Sequence, residues 1–190
     1  AGLPEGVVLD AQVMRQSDFI NLSLDNLIVV LRDAIFFVAI VLILFLMNVR
    51  TTIITLTAIP LSVAVALVSL DWLGMTINVM TLGGLAIAIG ELVDDAIIDV
   101  ENVHRRMADN NLLPLEKRLS KARVIFDASN EIRSSVVFAT AIIVMVFVPL
   151  LFLQGIEGRF FRPMGLAYIV SILASLLVAL TVVPALCKLL

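Results

Sequence analysis

The sequence is poor in charged residues and in cysteine. Asp, Glu, Lys and Arg make up 15% of its 190 residues, against roughly 25% in soluble domains. Its single cysteine, Cys187, excludes an internal disulfide and a thiolate zinc site. The net charge of −3 says little, because in so apolar a chain the placement of charge matters more than its sum. These scarcities argue against a soluble enzyme.

Apolar residues take the place of the missing charge. They make up 61% of the chain, and the mean hydropathy is +1.11. Uncharged windows at 51–70, 72–90, 134–155 and 163–187 each approach the ~20 residues that a helix needs to cross hydrocarbon. None shows the period-two alternation of barrel strands. We therefore expect an all-α membrane protein with five transmembrane helices, at about 27–49, 51–70, 78–103, 132–153 and 163–189.

The first 26 residues differ from the rest. They are mixed polar and lack the basic start, apolar core and cleavage site of a signal peptide. Their apolar positions recur as in an amphipathic helix. We expect residues 1–26 to be the end of a soluble segment of a longer protein, and residues 27–190 to be a transmembrane helical domain.

The basic residues of the connections predict the orientation. Six of them lie in the link at 104–132, whereas the opposite side has only Arg159 and Arg162 between spans. By the positive-inside rule this link is cytoplasmic and residues 1–26 are periplasmic. Apolar residues at helical spacing within the link predict a cytoplasmic connecting helix at about 112–130, lying in the interface. A plain solvated connector is the alternative.

The third span contains a group of acidic residues without a Lys or Arg before Arg105. At 100° per residue these side chains cover an arc of roughly 160°. At ~1.5 Å per residue Asp94 lies about 24 Å from Asn78 and about 16 Å from Arg105, which places it inside the hydrocarbon. The group consists of Glu91, Asp94, Asp95, Asp99 and Glu101.

Charged acids at this depth need compensation. Each costs on the order of 2.5–3.5 kcal/mol unless it is protonated, solvated or paired. Adjacent carboxylates also repel each other, so Asp94 and Asp95 are a candidate proton carrier. Glu91, Asp99 and Glu101 are possible auxiliary acids, although Asp99 and Glu101 could instead cap the helix end or meet interfacial water. No Lys or Arg of the other spans reaches this depth, so we expect the compensating cation on helices absent from this chain.

Three other features of this span have simpler interpretations. Gly83, Gly84 and Gly90 share the acidic side, where small residues let another helix approach closely. Asn78 and Asn102 are interpreted as helix-end residues. The only histidine, His104, stands beside two arginines and is expected to be solvated rather than to bind a metal.

Several motifs together resemble a known family. They are FLMNVRTT at 45–52, AIPLS at 58–62, INVMTLGGLAIAIG at 77–90, LVDDAI at 92–97, VENV at 100–103 and GIEGRFFRPMG at 155–165. In combination they look like the first membrane half of a resistance-nodulation-division (RND) efflux permease. The resemblance covers essentially the whole chain and implies the tail of a periplasmic segment followed by the second to sixth transmembrane helices.

The resemblance also implies a function and partners. In that family the acidic pair, here Asp94 and Asp95, is the proton relay, and its partner is a lysine of the second membrane half. The implied protein is multi-pass in the bacterial inner membrane, contacts lipid, and works as a homotrimer with a periplasmic adaptor and an outer-membrane channel. Neither a cofactor nor a nucleic acid is implied.

The motifs resemble two different branches of the family. NVMTLGGLAIAIG is nearer the heavy-metal branch, whereas two adjacent aspartates are typical of drug pumps, and Asp99 has no assigned counterpart. The prediction is a proton-driven efflux transporter fragment for metal cations or toxic compounds. A multidrug permease of the same superfamily and a non-transporting, sterol-sensing-type domain are alternatives. An intramembrane aspartyl protease is weaker, because Asp94 and Asp95 point about 100° apart.

Overall fold

The structure is a computed structural model that describes residues 16–46 and 48–189. The regular structure in these ranges is helical, as expected for an all-α protein. Five long helices follow one another, and single 3-10 segments lie at Leu115–Lys117 and Val148–Phe152. The long helices are α1 (Gln16–Leu46), α2 (Val49–Trp72), α3 (Val79–Leu112), α4 (Lys121–Phe147) and α5 (Gly155–Leu189).

Asparagine side chains start two of these helices. The Asn48 side chain accepts a hydrogen bond from the backbone N–H of Arg50 at 3.0 Å. At the start of α3, Asn78 accepts from the N–H of Thr81, and the Thr81 hydroxyl accepts from the N–H of Asn78. This reciprocal capping box satisfies two backbone donors that the helix leaves free, and it confirms Asn78 as a helix-end residue.

The helix boundaries differ from the expected spans. Within the predicted periplasmic segment, residues 16–26 are the first turns of α1, and residues 1–15 lie outside the described residues. The connecting helix expected at about 112–130 does not form as a separate element. Only a 3-10 turn follows Pro114, and α4 then starts at Lys121 and runs into the apolar stretch. Residues 121–148 contain neither glycine nor proline, so nothing in the sequence breaks the helix there.

Four of the helices are long and apolar enough to cross a membrane: Asn21–Leu44, Val49–Trp72, Lys121–Phe152 and Gly155–Leu189. By length alone α3 would also span, since its 34 residues correspond to about 50 Å. Its acidic residues are what set it apart in composition. Within the described chain α3 contacts every other long helix, whereas α1 contacts only α2 and α3. The most acidic helix therefore lies at the centre of the bundle.

Among the described helices, α3 and α5 make the most extensive contact, and this contact depends on small residues. A Cβ added at Gly84 would lie 2.3 Å from the backbone oxygen of Met164 on α5. Ala88 of α3 and Ala167 of α5 are fully buried nearby. Small residues let helix backbones approach closely in membranes. The close approach expected for the glycines holds at Gly84, whereas an added Cβ would meet nothing within 4 Å at Gly83 or Gly90.

Candidate functional site

The inward face of α3, defined by Ala88, Leu92, Asp95, Asp99 and Asn102, places two carboxyl groups inside the bundle. Asp95 is 6% exposed and Asp99 is 3% exposed. They are four residues apart and so stand one turn apart on the same side of the helix, about 6 Å along its axis. Two acids of the predicted group therefore share one buried environment.

The outward face of α3 carries two others. Asp94 and Glu101 are exposed, as are Ile87, Gly90 and Ile98 on the same side, and Glu91 is half-buried. The five acids thus do not form the single acidic face expected from their 160° arc. Neighbouring helices cover part of that arc, so Asp95 and Asp99 are enclosed while Asp94 and Glu101 are left outside.

Each inward acid lies against a buried serine on a different helix. Ser175 of α5 neighbours Asp95, and Ser129 of α4 neighbours Asp99. Within the described residues, Oδ2 of Asp95, both carboxyl oxygens of Asp99 and the Ser129 hydroxyl have no hydrogen-bond partner. Buried polar atoms without partners cost free energy. The interior of the bundle next to α3 therefore contains polar groups that are able to bind a proton or a water molecule.

The ion pairs among the described residues do not include the acids of α3 discussed above. In the described ranges the ion pairs are Arg32–Asp33, Arg106–Glu131 and Arg123–Asp127, all of them with exposed side chains. Arg133 of α4 is exposed and acts on Asp99 only through its electrostatic field. No described Lys or Arg forms an ion pair with Asp94 or Asp95, so a cationic partner from other helices stays a prediction.

The interpretation of Asn102 as a helix-end residue is wrong. It is not at a helix end, because α3 continues to Leu112. Its side chain is 6% exposed and donates from Nδ2 to the backbone oxygen of Ala128 on α4 at 2.8 Å. Arg105 donates to its Oδ1 at 2.8 Å. Asn102 therefore joins α3 to α4 just beyond Asp99.

His104 lies at the surface of the described structure, as expected for a solvated side chain. Its ring is exposed, and its Nε2 lies 3.4 Å from the side-chain nitrogen of Asn48. Over the part of the chain that the structure describes, no three His, Cys, Asp or Glu side chains converge on a position that could hold a metal ion.

The sequence did not predict that two serines would lie next to the buried acids. Ser129 and Ser175 have no distinguishing motif, and a serine in a helix can simply bond to its own backbone. Ser171, for example, is fully buried and donates to the oxygen of Ala167 at 2.7 Å. A small polar residue at the level of an intramembrane acid is the signal that could have indicated them.

Comparison with known proteins gives the family. The profile of the AcrB/AcrD/AcrF family matches residues 1–190. The chain is 36% identical over 187 residues to the putative cation efflux system protein SilA of Salmonella typhimurium. It is 35% identical over 187 residues to the cation efflux system protein CusA of Escherichia coli (strain K12). Both alignments cover 97% of this chain and 18% of the relative.

A relative that is named as a multidrug resistance protein has a similar sequence identity to this chain. The multidrug resistance protein MdtF of Escherichia coli (strain K12) is 37% identical over 169 residues, which are 89% of this chain and 16% of that protein. The chain thus spans less than a fifth of the length of the relatives it matches.

Family membership makes it a transporter segment rather than an enzyme, which removes the protease alternative. The helices and the family also confirm a multi-pass protein of the bacterial inner membrane. The chain belongs to the AcrB/AcrD/AcrF family of RND efflux transporters.

Proposed function

We propose that this chain is the part of an RND efflux permease that couples proton entry to export, with Asp94 and Asp95 as the proton relay. The observation that carries the proposal is the position of Asp95. Its carboxyl group is buried in the middle of the central helix, and Oδ2 has no partner in the described part of the chain. An ionisable group at such depth is functional by default.

The exposure of the two aspartates suggests how they share the task. Asp94 is exposed on the outward face of α3, whereas Asp95 is enclosed beside Ser175 of α5. Two adjacent charged carboxylates repel each other, so a pair that holds one proton is favoured over a doubly charged pair. Protonation from the periplasmic side breaks the pairing of Asp94 with a cation, and release to the cytoplasm restores it.

The cation and the larger assembly lie on parts of the permease beyond this chain. We assign the cation to a lysine of the second membrane half, facing the outward face of α3. That face has a small residue, Gly90, one turn from Asp94, and nothing lies within 4 Å of an added Cβ there. The working assembly is a homotrimer with a periplasmic adaptor and an outer-membrane channel.

We infer that the exported substrate is a metal cation. Support comes from the relatives named as cation efflux proteins, whose alignments cover 97% of the chain. Export of hydrophobic compounds is the second candidate. It is favoured by MdtF at 37% identity and by the toluene efflux pump membrane transporter TtgE of Pseudomonas putida, aligned over 98% of the chain.

Transport by the full-length permease in proteoliposomes tests the proposal. A pH gradient should drive movement of Zn²⁺ or Cu⁺ in the wild type, and Asp94→Asn should abolish it. If only a hydrophobic dye moves, the substrate is wrong but the relay survives. If transport is insensitive to Asp94→Asn and to Asp95→Asn, the relay assignment fails. If neither a metal cation nor a dye moves in the wild type, a non-transporting membrane domain becomes the better interpretation.

A further inference from the structure

Asp99 is a buried acid that the proposed relay does not use. Its side chain is 3% exposed, and both of its carboxyl oxygens lack a hydrogen-bond partner among the described residues. The neighbouring hydroxyl of Ser129, in a residue 7% exposed, also has none. Ser129 Oγ could instead have bonded to its own helix, as the hydroxyl of Ser171 does. Two unpartnered polar groups therefore meet between α3 and α4.

Asp95 and Asp99 follow one another along the inward face of α3. Both lie on the inward face of α3, and Asp99 is one turn nearer to Arg105, about 6 Å further along the helix axis. By the charge of the connections, this is the cytoplasmic direction. The two carboxyl groups are not hydrogen-bonded to each other, since both oxygens of Asp99 lack a partner among the described residues. A water molecule or the Ser129 hydroxyl, which both donates and accepts, can bridge them.

A cleft begins next to this pair. It has a volume of about 440 Å³, lies between α3 and α4, and is lined by Asp109, Asp127, Ala128 and Glu131 among others. Ala128 directly precedes Ser129, and its backbone oxygen accepts from Asn102. Three carboxylates line the cleft together with Arg106, which is paired with Glu131. Ala128 thus separates Ser129, which neighbours Asp99, from a cleft that is lined by ionisable groups as well as apolar ones.

The other groups around Asp99 leave it free to exchange a proton. On α4 the exposed Arg133 acts on it only through its field, and on α5 the buried thiol of Cys187 lies within its field. Lys121 acts on Cys187 from the start of α4. On α3, Asp95 is the nearest inward acid, since Glu101 faces outward. None of these groups is hydrogen-bonded to Asp99.

We propose that Asp99, assisted by Ser129, is a second proton-carrying site that takes protons from Asp95 and delivers them to the α3–α4 cleft. This inference rests on the proposed function. The protonated carboxyl of Asp95 gives its proton through a bridging hydroxyl or water to the Asp99 carboxylate, and Asp95 becomes the carboxylate. Protonated Asp99 then gives the proton to water in the cleft and returns to its charged form.

Infrared difference spectroscopy of the full-length permease tests whether Asp99 takes a proton. As the pH is lowered, the wild type should gain carboxylic-acid C=O bands from Asp95 and from Asp99, and Asp99→Asn should remove one of them. Ser129→Ala should shift the Asp99 band, whereas Ser171→Ala, a buried serine already bonded to its own helix, should not. If the spectrum of Asp99→Asn equals that of the wild type, Asp99 takes no proton and the proposal is overturned.

Efflux rates of two Asp99 variants distinguish a proton-carrying role of Asp99 from a role in packing alone. Asn keeps the shape of Asp99 but cannot carry the proton, whereas Glu keeps the carboxyl group and adds a methylene. We expect Asp99→Asn to slow pH-driven efflux by about tenfold or more and Asp99→Glu to retain most of it. The reverse order would mean that Asp99 only packs. Loss of efflux in Asp95→Asn with normal efflux in Asp99→Asn would overturn this inference and leave the proposed function standing, whereas normal efflux in both would remove both.

Discussion

Asp94 and Asp95 are consecutive in the sequence, yet α3 places them in different environments. Asp95 belongs to the inward face and is 6% exposed, whereas Asp94 belongs to the outward face and is exposed. The same division separates Gly84 from Gly83 and Asn102 from Glu101. One step along a helix rotates a side chain by about 100°, so neighbours in sequence meet different surroundings.

The comparison teaches that residue type alone does not define the site. The inward face is filled by contacts with α4 and α5, and its polar groups are enclosed. On the outward face, a Cβ added at Gly83 or Gly90 would meet nothing within 4 Å in the described chain. Substitutions on the inward face should therefore affect both packing and proton chemistry, whereas their outward neighbours should affect packing little.

The largest expected effect concerns the two aspartates. Both Asp94→Asn and Asp95→Asn should slow pH-driven efflux by about 100-fold or more, since the proposed relay needs both groups. Asp95→Asn should in addition leave the Tm unchanged or raise it, because it replaces a buried acid with an unpartnered oxygen by a neutral amide of similar shape. Initial efflux rates and thermal unfolding of the purified permease measure the two effects. A drop in Tm for Asp95→Asn alone would show that its carboxyl group has a stabilising partner.

Packing at Gly84 should give the next largest effect. Gly84→Val inserts a side chain where an added Cβ would lie 2.3 Å from the Met164 oxygen, and we expect a loss of about 3 kcal/mol from overpacking. Gly83→Val is the matched control. It should stay within about 0.5 kcal/mol, since valine and glycine have similar helix propensities. Chemical denaturation measures both. An equal loss at Gly83 would mean that a helix of the complete permease packs closely on the outward face at the level of Gly83 as well as near Asp94.

The existence of the helices followed from the sequence, but their ends did not. Uncharged windows located the apolar parts of α2, α4 and α5, because hydrocarbon excludes charge. They could not show that α3 continues to Leu112 or that α5 starts at Gly155. A helix outside the apolar region is held by its own backbone hydrogen bonds, and the loss of hydropathy does not end it.

The acids of the site were predictable, and their environment was not. An acid in an apolar window is visible from sequence alone. Whether it faces inward depends on where α4 and α5 pack, and that depends on contacts such as Gly84 with Met164. Ser129, Ser175 and the bond from Asn102 to Ala128 come from other helices or from unmarked residues, so only the three-dimensional arrangement shows them.

A smaller effect is expected at Asn102. Asn102→Ala removes the donor to the buried oxygen of Ala128 and should cost about 1–2 kcal/mol in the free energy of unfolding. Its neighbour Glu101 is exposed, so Glu101→Ala should stay within about 0.5 kcal/mol. The comparison is made by denaturant unfolding of the two variants. Equal losses would contradict the inward position of Asn102.

The smallest expected effect is at the Arg106–Glu131 ion pair. Arg106 donates from Nε to Oε2 of Glu131 at 2.9 Å, but both side chains are more than two-fifths exposed. Exposed ion pairs stabilise little, and salt screens them over about 8 Å at physiological ionic strength. Arg106→Gln should therefore leave the Tm unchanged at physiological salt and lower it slightly at low salt, whereas the loss in Asn102→Ala should not depend on salt. Thermal unfolding at two salt concentrations decides this. A salt-independent drop in Tm for Arg106→Gln as large as that for Asn102→Ala would contradict this prediction. It would show that the contact between α3 and α4 depends on the ion pair as well as on the buried amide.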